Sequence, residues 1–220
     1  MIECQNCNKI GNNWVCNKCL PPVGPFNHAF CPCDDIAGSP KAPVWIVGLN
    51  PKTSDDSPKT STELRDYFNR SSGVHPYFRN FEKVSKRLYA QLGKTHGVAS
   101  TDLVKCHTES WPKNGGKVVA NCSPFLVNQV STHRPKMLIC NGAPVCDAVT
   151  KIYPPPAENP TSYMWTGPDD GEEVVVVLSG FIGRIDDYAK QRLGKEIDCW
   201  LDKLSLFIDD SIKPGAVGCC

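Results

Sequence analysis

Residues 101–146 read TDLVKCHTESWPKNGGKVVANCSPFLVNQVSTHRPKMLICNGAPVC. Leu103-Val104 sits in an expected strand, and a Trp-Pro-Lys-Asn-Gly-Gly loop follows it. Across 117–132 the residues Val118, Cys122, Phe125, Leu126 and Gln129-Val130 recur on one helical face, which predicts a helix. Lys136–Cys140 is a short apolar run that predicts another strand, and Gly142 opens a turn into a helix over about 143–151.

The alternation continues in both directions. Upstream, Val44-Trp45-Ile46-Val47-Gly48 predicts a buried strand, and residues 51–61 are polar and loop-like. Phe81, Val84, Leu88 and Leu92 keep i, i+3/i+4 spacing, which predicts a helix over 79–92 ending at Gly93. Downstream, five prolines and two glycines between Pro154 and Gly171 predict an irregular insertion. Val174–Leu178 predicts a fourth strand, and 184–206 a helix with Ile197, Leu201 and Leu204 on one side.

Strands alternating with helices predict an α/β fold, a three-layer arrangement around a mostly parallel four-stranded sheet. Ligands of such sheets bind beyond the carboxyl ends of the strands. Four segments occupy that rim: 48–56, 101–107, 140–144 and 178–184.

The net charge of +1 over 220 residues excludes a polycation. Contact with phosphates therefore needs a local basic patch. No stretch approaches the ~20 apolar residues that span a bilayer. The opening MIECQNCNKI has neither the basic nor the apolar region of a signal peptide. A cytoplasmic, monomeric protein without membrane partners is expected.

In that compartment, thirteen cysteines point to metal thiolates rather than disulfides. Cys4-x2-Cys7-x8-Cys16-x2-Cys19 presents paired knuckles that can place four thiolates around one tetrahedral ion. Four sulfurs without histidine suit zinc or iron. Cys31-Pro-Cys33, Cys106 and Cys122 are a second candidate set, scattered along the chain. The expected organisation is a Cys-rich metal-binding segment over 1–40, an α/β domain over 41–210 and a flexible tail over 211–220.

Residues 101–146 resemble the iron–sulfur uracil-DNA glycosylases. The family's Asn-x-Val-Lys-Cys-type motif is matched by Asp102-Leu103-Val104-Lys105-Cys106. Its Cys-x-Pro-Phe-Leu helix start is matched by Cys122-Ser123-Pro124-Phe125-Leu126, and its Arg-Pro-Lys strand start by Arg134-Pro135-Lys136. Val47-Gly48-Leu49-Asn50-Pro51 resembles the superfamily's first catalytic motif, in a form most like the mismatch-specific and single-strand-selective branches. HPYFRNFEKVSKRLYAQLG, at 75–93, resembles the helix preceded by the aromatic that stacks on the extruded base.

The resemblance implies a base-excision glycosylase acting on single- or double-stranded DNA, with a four-iron four-sulfur cluster. Two cluster ligands would be Cys106 and Cys122. Either Cys31 and Cys33 complete the cluster, leaving Cys4, Cys7, Cys16 and Cys19 for zinc, or Cys16 and Cys19 complete it while Cys4, Cys7, Cys31 and Cys33 hold the other ion. The first keeps the double knuckle intact and is preferred.

For the reaction, the resemblance implies that Asn50 holds the attacking water and that backbone N–H groups from Leu49 onward meet the base. Tyr77 would stack on the base, with Phe78 able to exchange roles with it. Asp102 falls where the family reads the base with asparagine. An ionised carboxylate only accepts hydrogen bonds, whereas an amide also donates, so altered base choice is expected, among uracil, hypoxanthine and xanthine; if buried and protonated, Asp102 would instead donate one bond. Ser179 stands where the family carries its late histidine and offers a weaker donor. Phe181 would be the wedge filling the gap left in the stack. Arg184 would contact phosphate, with Lys105, His107, Lys113, Lys117 and Arg134 extending a DNA-facing basic patch, while Asp55 and Asp56 are either supplementary carboxylates or part of a solvated loop. The lost histidine and Asp102 also allow a catalytically degenerate nucleic-acid-binding metalloprotein of the same fold.

Overall fold

The structure is a computed structural model. It describes residues 34–51, 58, 60–71, 73–105, 115–158, 160–168 and 171–208, and the strand backbones at 7–10, 13–16 and 27–28. In the N-terminal segment β1 (Cys7–Ile10), β2 (Asn13–Cys16) and β3 (Asn27–His28) form an antiparallel sheet in that order. Cys7 and Cys16 are direct register partners in it. Cys4, Cys19, Cys31, Cys33, Cys106, Asp55, Asp56, His107, Lys113 and the 211–220 tail lie outside the described residues.

The second sheet carries the fold. Its strands are β4 (Val44–Gly48), β5 (Val98–Asp102), β6 (Met137–Asn141), β7 (Ser162–Thr166) and β8 (Glu173–Ser179), in the order β5-β4-β6-β8-β7. β5, β4, β6 and β8 run parallel. Their apolar residues alternate between two cores. Trp45, Val47, Leu138, Cys140, Val174 and Val176 face one layer. Val44, Ile46, Met137, Ile139, Val175 and Val177 face the other. Both faces are buried, so β4, β6 and β8 read as nearly continuous apolar runs, as parallel strands do, while β5 (Val-Ala-Ser-Thr-Asp) buries polar Ser100 and Thr101.

The first core is closed by α4 (Gly115–His133) and α5 (Ala143–Ile152) through Leu126, Val130, Val145 and Val149. The second is closed by α6 (Asp187–Lys203) through Leu193, Ile197 and Leu201. The Asp186 carboxylate caps α6 by accepting from Ala189 N–H at 2.7 Å, satisfying one of the donors a helix start leaves open.

Three expectations are corrected. The sheet is mixed and five-stranded, because β7 lies inside the proline-rich insertion and pairs antiparallel with β8. Tyr163 and Trp165 pack on the first core and Met164 on the second, so the period-2 pattern was present but hidden by flanking prolines. The strand expected around Leu103-Val104 is Val98–Asp102, with those two residues just beyond its end. The helix expected over 79–92 is broken into α2 (Pro76–Arg79), a 3-10 turn over Asn80–Lys83 and α3 (Lys86–Tyr89), which follow α1 (Ser61–Arg65). Ser85 makes the break: its backbone is extended and its hydroxyl caps Leu88 N–H at 3.1 Å while donating to Asp198 at 2.6 Å. Phe81, Val84 and Leu88 still reach the core, so the periodicity was sound although the continuous helix was not.

The chain already packs on β5 ahead of residue 40. Ala37 and Ser100 exchange backbone hydrogen bonds of 2.7 and 2.9 Å, and Ile36 is buried. Among the described residues, no helix is long and apolar enough to cross a membrane.

Candidate active site at the sheet rim

Four parallel strands deliver Asp102, Gly48-Leu49-Asn50, Asn141 and Ser179 to one edge of the sheet. β4 and β5 remain paired past their ends: Leu103 N–H donates to Gly48 O at 2.9 Å and Val104 N–H to Leu49 O at 2.8 Å. The first motif is thereby held rigidly beside the Asp102 segment. Asn50, half-buried, donates through its amide to Pro51 O at 3.3 Å.

Asp102 is the in-register partner of Gly48. Its carboxyl leans over that glycine. A Cβ at position 48 would stand 2.3 Å from Oδ1, so only glycine leaves the carboxyl this place. Burial, reinforced by the charge of Asp35, pushes the acid up to about 8, with Lys105 pulling the other way. Among the described residues no hydrogen-bond donor meets this carboxyl, although part of its surface stays accessible. A polar group placed this way is available to a ligand.

Tyr77 approaches from α2. His75 fixes the helix start, its ring accepting from Tyr77 N–H at 3.2 Å, and Pro76 supplies the preset first-turn φ. The Tyr77 hydroxyl accepts from Asn141 Nδ2 at 2.5 Å. Burial, followed by the neighbouring charge of Asp102, raises its pKa strongly, so the phenol stays neutral. Phe181 lies nearly parallel to the Tyr77 ring, with centroids 6.0 Å apart and planes at 24°.

The expected roles separate on these positions. Tyr77, Asp102, Leu49 and Asn50 converge on the rim. Phe78 is turned back into an aromatic cluster with Phe68 at 4.9 Å and Tyr67 at 5.8 Å, behind Tyr77. Phe181 is 44% exposed, and exposed Arg184 lies over its ring at 6.0 Å.

Two expectations are corrected. Lys105 is wholly buried and cannot reach phosphate. Its ammonium donates to Thr101 Oγ1 at 2.6 Å and Gln129 Oε1 at 2.7 Å, with Asp35 Oδ2 at 3.7 Å. The Ser179 hydroxyl is turned into the backbone, donating to Cys140 O or Gly180 O at 3.0 Å.

The Lys105 knot bears on the metal question. Asp35 O accepts from Thr101 Oγ1 at 2.5 Å and from Gln129 Nε2 at 3.3 Å. Cys122, buried in α4, lies close enough to raise the lysine's pKa against the larger lowering by burial. Three stretches therefore meet here: the one leaving Cys33, the one entering Cys106, and the helix carrying Cys122. Of the second cysteine set only Cys122 is among the described residues, and among those no group of three or more His, Cys, Asp or Glu side chains could hold a metal ion.

Asn141 was missed. It ends β6, is 2% exposed, and accepts from Ile182 N–H through Oδ1 at 2.7 Å while donating to Tyr77. A polar residue closing the apolar run Met-Leu-Ile-Cys, inside a rim segment, was the available signal.

The model of the uracil DNA glycosylase superfamily matches residues 36–184. The chain belongs to that superfamily, and the family's range covers every rim residue above. Comparison with curated proteins returned no match.

Proposed function

We propose that the protein is a monofunctional DNA glycosylase, hydrolysing the N-glycosidic bond of a deaminated base in base-excision repair. The observation that carries this reading is the carboxyl of Asp102, lying over Gly48 beside Tyr77 and met by no donor among the described residues. It is where an extruded base would present its polar edge.

A protonated carboxyl donates one hydrogen bond through O–H and accepts another at C=O. That is the same pair of functions an asparagine amide supplies. Neutral Asp102 can therefore read uracil by donating to O4 and accepting from N3–H, where an ionised carboxylate repels O4. Tyr77 stacks on the base. Asn50 orients the water toward C1′, which suffices where the transition state is already dissociative and positioning does most of the work. Phe181 fills the vacated place in the stack and Arg184 meets a phosphate.

Cys31, Cys33, Cys106 and Cys122 would hold the four-iron four-sulfur cluster, with the Lys105 knot gathering their chain stretches. Cys4, Cys7, Cys16 and Cys19 would hold zinc, supported by the backbone register of Cys7 with Cys16. When bound, the cluster braces the rim segments. Brown protein with roughly four irons per chain and one zinc is the expected composition.

The test is a panel of single- and double-stranded oligonucleotides carrying uracil, hypoxanthine or xanthine, scored for abasic product. Release of at least one base supports the reading, and no abasic product from any substrate refutes it. One observation favours a second reading: Ser179 spends its proton on the backbone. Salt-sensitive DNA binding without turnover would establish the degenerate binding protein instead.

A further inference from the structure

We infer that Asn141 is a positioning residue of the rim pocket, bracketing Tyr77 and the turn that carries Phe181 to the end of β6. The inference rests on the reading of Tyr77 as a wall of the base pocket. Neither Tyr77 nor Phe181 lies in a strand of the sheet. Tyr77 belongs to a four-residue helix, and Phe181 to the turn between β8 and α6. They lie 64 and 41 residues from Asn141 along the chain, counted to Tyr77 and Ile182.

The polarity of the bracket is fixed. Ile182 N–H can only donate, so it must face Oδ1, and Nδ2 is left to face Tyr77. The phenol oxygen therefore accepts, and among the described residues no acceptor meets its own proton. Leucine at 141 would fill the same space at the end of an apolar strand. The carboxamide is not needed by the sheet, and its two bonds serve the two pocket walls. Ile182 is itself fully buried, so the bond to its N–H sets where the neighbouring Phe181 ring emerges against Tyr77.

The test uses Tyr77→Phe, Asn141→Leu, their combination and Asn141→Asp in the full chain. One readout is the 19F spectrum of 3-fluorotyrosine-labelled protein, with the Tyr77 line assigned by its absence in Tyr77→Phe. The other is the single-turnover rate of base release. Asn141→Leu should shift or split the Tyr77 line. Asn141→Asp should keep one line, because a carboxylate accepts from both Ile182 N–H and the phenol. Tyr77→Phe and Asn141→Leu should each slow release about 10-fold, and the double variant should be no slower than either, since both remove one interaction.

An unchanged Tyr77 line in Asn141→Leu, or losses that multiply in the double variant, would overturn the inference. If Asn141→Leu does not fold, Tyr77→Phe and Asn141→Asp decide it: a Tyr77→Phe rate equal to wild type, or an Asn141→Asp line that splits, counts against. Wild type that releases no base sinks the glycosylase reading alone, and the 19F line still judges the bracket.

Discussion

Asp102 occupies space that any side chain at Gly48 would take: a Cβ there would stand 2.3 Å from Oδ1. The glycine ending β4 is thus a requirement of the carboxyl on the neighbouring strand. Gly48→Ala should push Asp102 off its position and lower kcat/KM by about 10-fold or more, since small misplacements at a reacting site are expensive. Steady-state kinetics beside a thermal melt check this. A variant with normal kinetics would show that the position of Asp102 is immaterial.

The ionisation of Asp102 sets a pH signature. The groups facing it are Asp35, Lys105 and Tyr77, and the acid sits at about 8. Below that pH it presents both a donor and an acceptor, and above it only acceptors. Uracil release should fall as pH rises through about 8, while bases presenting an amine lose less. In Asp102→Asn this limb should vanish. Stability follows the same group. Between 3.8 and about 8 the folded acid keeps a proton that the unfolded chain has released. Stability should therefore fall with rising pH across that window and level off above it, with the slope reduced in Asp102→Asn.

Lys105 and Arg184 should behave oppositely. Lys105→Met leaves Asp35 buried without its cation and should cost about 3 kcal/mol of stability, read by denaturant unfolding. Among DNA contacts, Arg184→Ala should reduce the slope of log K against log salt by about 1 and leave stability nearly unchanged. A Lys105→Met protein of normal stability with a reduced salt slope would reverse the assignment made from burial.

Helix α6 approaches the Val84 carbonyl so closely that a Cβ on Gly194 would lie 1.8 Å from it. Backbone cannot yield as a side-chain tip does. Gly194→Ala, which favours an isolated helix by about 1 kcal/mol, should instead lower the melting temperature. A rise would show that the helix backs away at little cost.

Much of this was legible in the sequence because parallel strands buried on both faces leave unbroken apolar runs, as at Val44–Val47 and Val174–Val177. The edge strand β7 was hidden because Pro160 and Pro168 bracket its five residues. The break at Ser85 was hidden because a cap serine inside an apolar period leaves the period intact. At the rim, the positions of Asp102, Asn50 and Tyr77 were legible from local motifs. Lys105 was misread because a basic residue between apolar neighbours looks solvated until Thr101, Gln129 and Asp35 are seen around it. Asn141 was missed because its partners lie far away in sequence.

The most direct test of the rim as a site of base excision is single-turnover release from a uracil-containing oligonucleotide, comparing wild type with Asn50→Ala at saturating protein. The expected result is abasic product from wild type and a rate about 100-fold lower in the variant, the scale of losing a positioned water, with binding to the intact oligonucleotide preserved. Equal rates in the two proteins would contradict the role given to Asn50 and, with it, the rim as the place where the bond is broken.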